Sequence, residues 1–283
     1  MPFKPINPRN AILEAVVSVH CNRPLTEFEM DAVRELHPKF ARDLPKLDTI
    51  AVATLYLGPG APPARGPNTP APPVTMAAYK KDGTLETRLI LQGQSVTVNF
   101  LLYSRWRDLG PKACLWIREV LTAALCRSSP NMPPLAIMAL QHQIVDVFKW
   151  DGDEASMTIA DLFKSEPARL PKAVWTSVGS PWQAGHTTVV PYVRVSLPRA
   201  ALVDLLNVDL NDEPSVGWRL RLEHTSEVRF EAPLQPEMLF VSPEADATPL
   251  VEAVMNDLHA RNRDMMQGLL RPDMLSRIGM GAA

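Results

Sequence analysis

The last part of the chain, from Thr248 to Ile278, constrains the fold more than any other stretch. Thr248-Pro249 predicts the start of a helix, and Arg271-Pro272 predicts its end before a short helical tail. Between them, apolar residues recur every three or four positions and mark one helix face: Leu250, Val251, Val254, Met255, Leu258, Met265, Met266, Leu269 and Leu270. Arg261 falls on the opposite face. A long helix in last place typically packs across a sheet, so we expect it to cover much of the core.

Composition indicates a soluble globular protein. Apolar residues make up 46% of the 283 residues and charged residues 21%, enough to bury a core in one large domain or two smaller ones. The 29 basic and 31 acidic residues give a formal net charge of -2. This balance lacks the basic footprint that binding to nucleic acid or to an anionic membrane requires. We therefore expect neither as a partner.

The sequence also predicts a compartment. The three cysteines, Cys21, Cys114 and Cys126, are odd in number and form no C-x-x-C pair, which is typical of reduced thiols. The N-terminal residues contain no apolar run of signal-peptide length. No uncharged apolar stretch reaches the roughly eighteen residues of a membrane span. We expect a cytoplasmic protein.

Local patterns predict alternating strands and helices. Thr26 is a candidate N-cap for a helix that ends near His37-Pro38. Further helices are predicted at 111–126 and from Pro198 to about Leu206. Strands are predicted at 12–20, 49–57, 74–79, 87–91, 95–103, 135–150 (one strand or a pair), 189–197 and 217–230.

These elements predict an α+β fold. The strand–helix–strands–helix order occurs twice, so we expect an N-terminal half at 1–130 and a C-terminal half at 131–283. Each half would be a curved, mainly antiparallel sheet with helices packed across one face, and the two halves could be similar. The proline-rich loop at 58–73 interrupts the first half. It is either a docking site for a proline-recognising groove or, as we favour, a tolerated insertion between strands.

Three short segments carry a family resemblance. They are Ile12-Leu13-Glu14-Ala15-Val16, then Ser95–Asn99 followed by Tyr103 and Ser104-Arg105-Trp106, and finally Leu258-His259 with the apolar residues up to Ile278-Gly279. This pattern resembles a family of sporadically distributed bacterial proteins of about 250–280 residues that has no assigned activity. Chains of that family end in a long helix after a Leu-His pair. Its patchy distribution implies an antitoxin-like or phage-defence context.

No sequence motif indicates catalysis, a cofactor or a metal. The six histidines and three cysteines show no H-x-x-x-H, H-E-x-x-H or C-x-x-C spacing. Nucleophile-elbow, Walker A and dinucleotide-binding motifs are also missing from the sequence. His259 is next to the apolar Leu258, and we expect a structural, hydrogen-bonded histidine there. We therefore predict no catalytic residue, no metal and no cofactor.

Five residues are candidates for binding a partner. Trp106, next to Arg105, can stack on a base or bind a protein, or it can anchor the following helix on the sheet. Arg219 and Arg221 alternate with apolar residues, and with Arg194 they would form a basic stripe on a sheet face. Such a stripe is either a solvated face or a surface for an acidic partner.

Three functions remain open from the sequence. The first is a non-enzymatic interaction protein whose partner is another protein, with an undetermined oligomeric state. The second is a small-molecule-binding domain with a pocket between sheet and helix. The third is an enzyme whose site is assembled from dispersed residues. Sequence reasoning favours the first.

Overall fold

The computed structural model describes residues 3–7, 10–49, 71–129, 131–165, 182–194, 197–213, 216–240 and 248–280. The proline-rich loop, except residues 71–73, and the predicted strand beyond Thr49 lie outside the described residues.

Ten strands form one open sheet, and every pairing between described strands is antiparallel. The strands are β1 Phe3–Pro5, β2 Ile12–Cys21, β3 Lys46–Thr49, β4 Val74–Tyr79, β5 Leu85–Gln92, β6 Ser95–Phe100, β7 Ile137–Trp150, β8 Trp182–Tyr192, β9 Ala200–Glu213 and β10 Gly217–Leu234. Their order is β3-β4-β5-β6-β2-β7-β10-β9-β8, and β1 pairs with the end of β7.

The helices within the described residues are α1 Glu27–Glu35, α2 His37–Phe40, α3 Trp106–Cys126, α4 Pro236–Phe240, α5 Leu250–Leu269 and α6 Pro272–Arg277. Two short 3-10 helices, Glu154–Ser156 and Ile159–Asp161, follow β7. The long helices α3 and α5 contact each other and the sheet. The α+β fold class is therefore confirmed. No helix of the described part is long and apolar enough to span a membrane.

The two predicted halves share one sheet. Their first strands, β2 and β7, pair with each other at its centre. Moving outward, the first half adds β6, β5, β4 and β3, and the second half adds β10, β9 and β8. In both halves the first strand thus pairs with the last one, and a helix follows that last strand. Apart from β1 and one additional outer strand in the first half, the described strands of both halves follow this order, and their sheets join edge to edge.

The core lies between the sheet and the helices. Side chains alternate between faces along each strand, so Leu140, Ile144 and Phe148 of β7 all point toward the helices and are fully buried. The predicted stripe of α5 is buried as expected, including Leu258 at 0% exposure. One member of the stripe is polar, since Asn262 is only 1% exposed. Polar groups therefore enter the layer between sheet and helix.

The beginning of α1 follows its sequence signal. Thr26 and Glu29 form a capping box, in which each side chain bonds the other residue's backbone N–H. Glu29 is fully buried and forms a two-point ion pair with Arg23. Burial would raise the pKa of Glu29, but bonds from Arg23, Ser128 and the Thr26 backbone lower it to about 2. This carboxylate stays charged and holds the helix start against the sheet.

One predicted helix is a strand in the structure. The segment from Pro198 to Leu206 is not a helix but belongs largely to β9, because Leu202, Leu206 and Leu210 are buried with a period of two and pair across β8 and β10. Ladder pairing on both sides therefore overrides the helix-start signal of Pro198. Of the two alternatives predicted for 135–150, the structure shows the single long strand, β7.

The helix predicted at 111–126 begins five residues earlier, at Trp106. Pro111 therefore lies inside α3, where it supplies no N–H and is unfavourable. The first turn is held by tertiary contacts, since Trp106 is 9% exposed and its Nε1 donates to Asn256 Oδ1 of α5 at 2.7 Å. The tryptophan thus anchors the helix start and also positions it beside α5.

Candidate functional site

A cleft of about 810 Å³ opens between the sheet and the two long helices. Its walls are the start of β2, the segment from Leu102 to Asp108 that leads into α3, and Asp146 of β7. His259 and Arg263 of α5 and the residues after α6 close the other side. We call this space the sheet–helix cleft.

Asp146 is the buried acid of the sheet–helix cleft. The alternation of β7 places it on the helix side, on the same face as His142 and Ile144. It is 1% exposed, and its Oδ1 has no hydrogen-bond partner among the described residues. Burial raises the pKa of this carboxyl to about 7. A bulge in β2 between Ile12 and Glu14 lies directly opposite, a feature common beside functional sites.

Trp106 and His259 form an aromatic pair in the cleft wall. Their ring centroids are 4.7 Å apart at an interplanar angle of 11°, and the edge of His142 meets Trp106 at 4.6 Å. A Cβ atom at Gly110, one turn along α3, would lie 2.7 Å from the indole ring. Glycine is required at this position because the ring lies against the helix backbone. The pair is thus fixed by α3 on one side and α5 on the other.

The two histidines of this wall are held neutral. Burial and, to a smaller extent, the charge of Arg263 together lower the pKa of His259 to about 4. Burial also lowers the pKa of His142 well below its ordinary value, with the neighbouring histidines adding to the effect. Nδ1 of His259 and Nε2 of His142 are buried without hydrogen-bond partners within the described chain. The expected hydrogen-bonded role of His259 is therefore not met at Nδ1, and the nitrogen is free to bond a ligand.

Tyr103 connects the acidic and basic groups of the cleft. Burial raises the pKa of its hydroxyl to about 12, and the charge of Asp146 acts in the same direction. The Trp106 backbone N–H and the charge of Arg263 oppose the rise. The hydroxyl, Asp146 and Arg263 all line the sheet–helix cleft.

The basic groups of the cleft lie at its mouth. Arg105 and Arg263 are exposed, and neither forms an ion pair with a described residue. Arg107 has only a loose contact of 3.6 Å with the neighbouring Asp108. Arg105 is also the N-cap of α3 and makes no side-chain capping bond. The first residues of the 21-residue α3 line the cleft, so the positive end of the helix dipole lies beside it.

A polar network lies behind this wall, between β9, β10 and α5. Asp204 accepts bonds from Ser226 Oγ at 2.6 Å and Arg261 Nη2 at 2.5 Å. Burial would raise the Asp204 pKa, but bonds from His224, Arg261 and Ser226 hold it well below the ordinary value. His224 continues the network, with its Nδ1 3.3 Å from Asn262.

This network contains serine, histidine and aspartate but is not a catalytic triad. In a triad the acid orients the far nitrogen of the histidine, whereas here Asp204 and the imidazole Nε2 both approach Ser226. The serine is also 0% exposed, so no substrate can reach its hydroxyl. The network is a satisfied polar connection between sheet and helix, and it supports the cleft from behind.

The five predicted site residues lie at three separate places. Arg105 and Trp106 line the sheet–helix cleft. Arg194 follows β8 and pairs with Asp257 of α5. Arg219 and Arg221 lie together on the opposite face of the sheet, bound to Glu213 at 2.9 Å and Glu223 at 3.1 Å. The structure thus brings together only the first pair and the last pair.

The opposite face carries a second hollow of about 520 Å³ between β8, β9 and β10. Its charged groups are largely paired within the sheet. Arg221 donates to Glu223 at 3.1 Å, and Asp209 accepts from Asn211 at 2.5 Å through one of its oxygens. We therefore regard this hollow as a weaker candidate than the sheet–helix cleft.

Sequence reasoning missed Asp146, Tyr103 and Arg263. One signal was present for the first, because Asp146 occupies a core-facing position in the alternation that includes His142 and Ile144. A charged residue in such a position is seldom buried without a partner or a function. Arg263 and Tyr103 join the site only through the packing of α5 on the sheet.

No cluster of three potential metal ligands occurs within the described residues. Comparison with protein-family models, with curated proteins and with solved structures finds no match to this chain. Its resemblance to a bacterial family therefore stays a prediction.

Proposed function

We propose that the protein binds a small molecule in the sheet–helix cleft. One observation carries the proposal: Asp146, 1% exposed, lines the cleft with an oxygen that no described residue satisfies. Leaving a buried acceptor unsatisfied costs about 1–3 kcal/mol, and more when the group is charged. A ligand that donates a hydrogen bond to Asp146 removes this penalty, so binding is favourable at this atom.

The composition of the cleft supports the same function. Small-molecule sites are typically concave, largely apolar and supplied with a few convergent polar groups, with volumes of about 300–1,000 Å³. The cleft of about 810 Å³ combines the apolar Ile12, Leu102 and Ile278 with Asp146 and His259. Titratable groups shifted by burial in a cleft are also typical of binding and catalytic sites.

The test is native mass spectrometry of the purified protein together with a thermal-shift screen of a metabolite panel. We expect a stoichiometric adduct or a ligand that raises the melting temperature of the wild type. Asp146→Ala should lose that adduct or shift. Asp264→Ala, an exposed position on the same helix as His259, should keep it. Binding that survives Asp146→Ala would place the ligand elsewhere and refute the proposal.

Protein–protein interaction, the function favoured by the sequence, is supported by a different observation. β8 pairs only with β9 among the described strands, so its outer edge is a candidate for further pairing. Val189 and Val190 of this strand and Val193 just beyond it are 64%, 40% and 91% exposed. Light scattering would detect self-association, and Val189→Lys should abolish any association through this edge.

The cytoplasmic location and the defence-related context remain predictions, since they depend on composition and on the family resemblance. An enzymatic role also remains a prediction. Asp146 and His259 could transfer protons to a ligand in the cleft, but their arrangement does not indicate a particular reaction.

A further inference from the structure

Two arginines that form no ion pair with a described residue line the sheet–helix cleft. Elsewhere most arginines form ion pairs, including Arg23 with Glu29 and Arg261 with Asp204. Arg105 and Arg263 form none with the described residues, although both line the cleft. The first residues of α3 line the same cleft and add the positive end of the helix dipole. Such an arrangement stabilises an anionic group on a ligand.

A buried acceptor lines the same cleft. Asp146 is aimed into the cleft and has no partner for Oδ1 among the described residues. The charges of Asp146 and Arg263 both act on the Tyr103 hydroxyl. The cationic side chains and this acceptor thus line the same cleft, which suits a ligand that carries both an anionic group and a hydrogen-bond donor.

The cleft also has an apolar part, beside polar lining residues such as Asn10, Ser104 and Asp108. Ile12 and Ile278 are 5% and 6% exposed, and Leu102 and Met280 also face the space. These side chains form no hydrogen bonds. The part of a ligand that contacts them therefore contributes to the binding free energy only by removing apolar surface from water.

We infer that the ligand is an amino-acid-like zwitterion: a carboxylate held by Arg105, Arg263 and the start of α3, an ammonium group held by Asp146, and an apolar side chain against Ile12 and Ile278. This inference depends on the proposed function, because it names the ligand class of the same cleft. An ammonium ion is the donor that best matches a buried carboxylate, since the two charges compensate each other on burial.

The experiment uses isothermal titration calorimetry with the apolar and aromatic L-amino acids as probes. For the tightest binder, the matched amine without the carboxylate and the matched acid without the ammonium group are measured as well. For phenylalanine these are phenethylamine and 3-phenylpropanoate. We expect each deletion to weaken binding at least about tenfold, which corresponds to about 1.4 kcal/mol.

Two variants assign the groups. In Asp146→Asn, the amino acid should no longer bind more tightly than the matched acid. In Arg263→Gln, the amino acid should no longer bind more tightly than the matched amine. Arg277→Gln, an exposed arginine of α6 outside the cleft lining, is the control and should change neither preference. Circular dichroism spectra of the variants establish that each is folded.

The outcomes separate this inference from the proposed function. If the matched amine or the matched acid binds as tightly as the amino acid, the zwitterion inference is refuted. Failure of all amino-acid probes, or a co-purified ligand without one of the two groups, would refute it as well. In that last case, a ligand lost on Asp146→Ala would still support the proposed function. Absence of any ligand by mass spectrometry, the metabolite screen and calorimetry would refute both.

Discussion

Replacing Asp146 with asparagine is expected to change how the stability of the protein depends on pH. The residue is buried, and its carboxyl has a pKa of about 7 in the folded protein against an ordinary value of 3.8. Since the folded-state pKa is the higher one, the unfolded chain loses this proton first. The contribution of this residue to the free energy of unfolding is therefore fully present below about pH 4, and it is lost as the pH rises through 7.

The size of the effect follows from the two pKa values. A shift of one pKa unit corresponds to about 1.36 kcal/mol, so complete ionisation of Asp146 lowers the free energy of unfolding by on the order of 4 kcal/mol. About 2 kcal/mol of this is already lost at pH 5, because the unfolded state is ionised there, and the remainder is lost by pH 8. Asparagine has the shape of the protonated acid and does not titrate. The difference in the free energy of unfolding between Asp146→Asn and the wild type should therefore shift by about 2–3 kcal/mol in favour of the variant between pH 5 and pH 8.

Urea unfolding followed by far-ultraviolet circular dichroism at pH 5, 6, 7 and 8 measures this difference. His259 and Tyr103, with pKa values of about 4 and 12, do not change charge across this range and cancel between the two proteins. Asp264→Asn, at an exposed position, is the control and should leave the pH slope unchanged. A stability difference that stays constant or falls with pH would mean that the Asp146 carboxylate is stabilised as an ion, and the reasoning would be wrong.

Three further predictions concern the same layer of the molecule. Gly110→Ala should destabilise by about 1–3 kcal/mol through the clash with the indole ring, and should become stabilising in a Trp106→Ala background, as a double-mutant cycle would measure. Leu258→Ala should cost about 2–5 kcal/mol in urea unfolding, as for other buried leucines. Arg261→Ala should cost about 2–3 kcal/mol, since it leaves the buried Asp204 without its cation; a cost below about 0.5 kcal/mol would show that the pair is unimportant.

The last of these predictions differs from what periodicity alone implies. On a helical wheel Arg261 is opposite the apolar stripe, and a substitution there should be nearly neutral. In the structure its guanidinium is 32% exposed and reaches Asp204 on β9. A long side chain can bend from the flank of a helix back to the sheet, and the pattern of apolar residues does not record where it ends.

Secondary structure was most predictable where local signals were strong. The capping box of α1, the stripe of α5 and the alternation of β10 all follow directly from residue type and spacing. Prediction failed at β9, where Pro198 resembles a helix start but pairing with two neighbouring strands decides the conformation. It also missed the first turn of α3, which depends on the contact of Trp106 with Asn256, 150 positions away in the chain.

The sequence by itself determined the fold class, the apolar face of the last helix and the alternation of the strands. These are local properties, since each depends on residues a few positions apart. Only the tertiary structure decided that both halves join in one sheet and that Asp146, Trp106, His259 and Arg263 share a cleft. The groups of the cleft come from β7, α3 and α5, and their distances depend on how helices pack across the sheet. The alternation of β7 indicates only the face on which Asp146 lies, and the burial that shifts its pKa arises from the packing of the helices on that face.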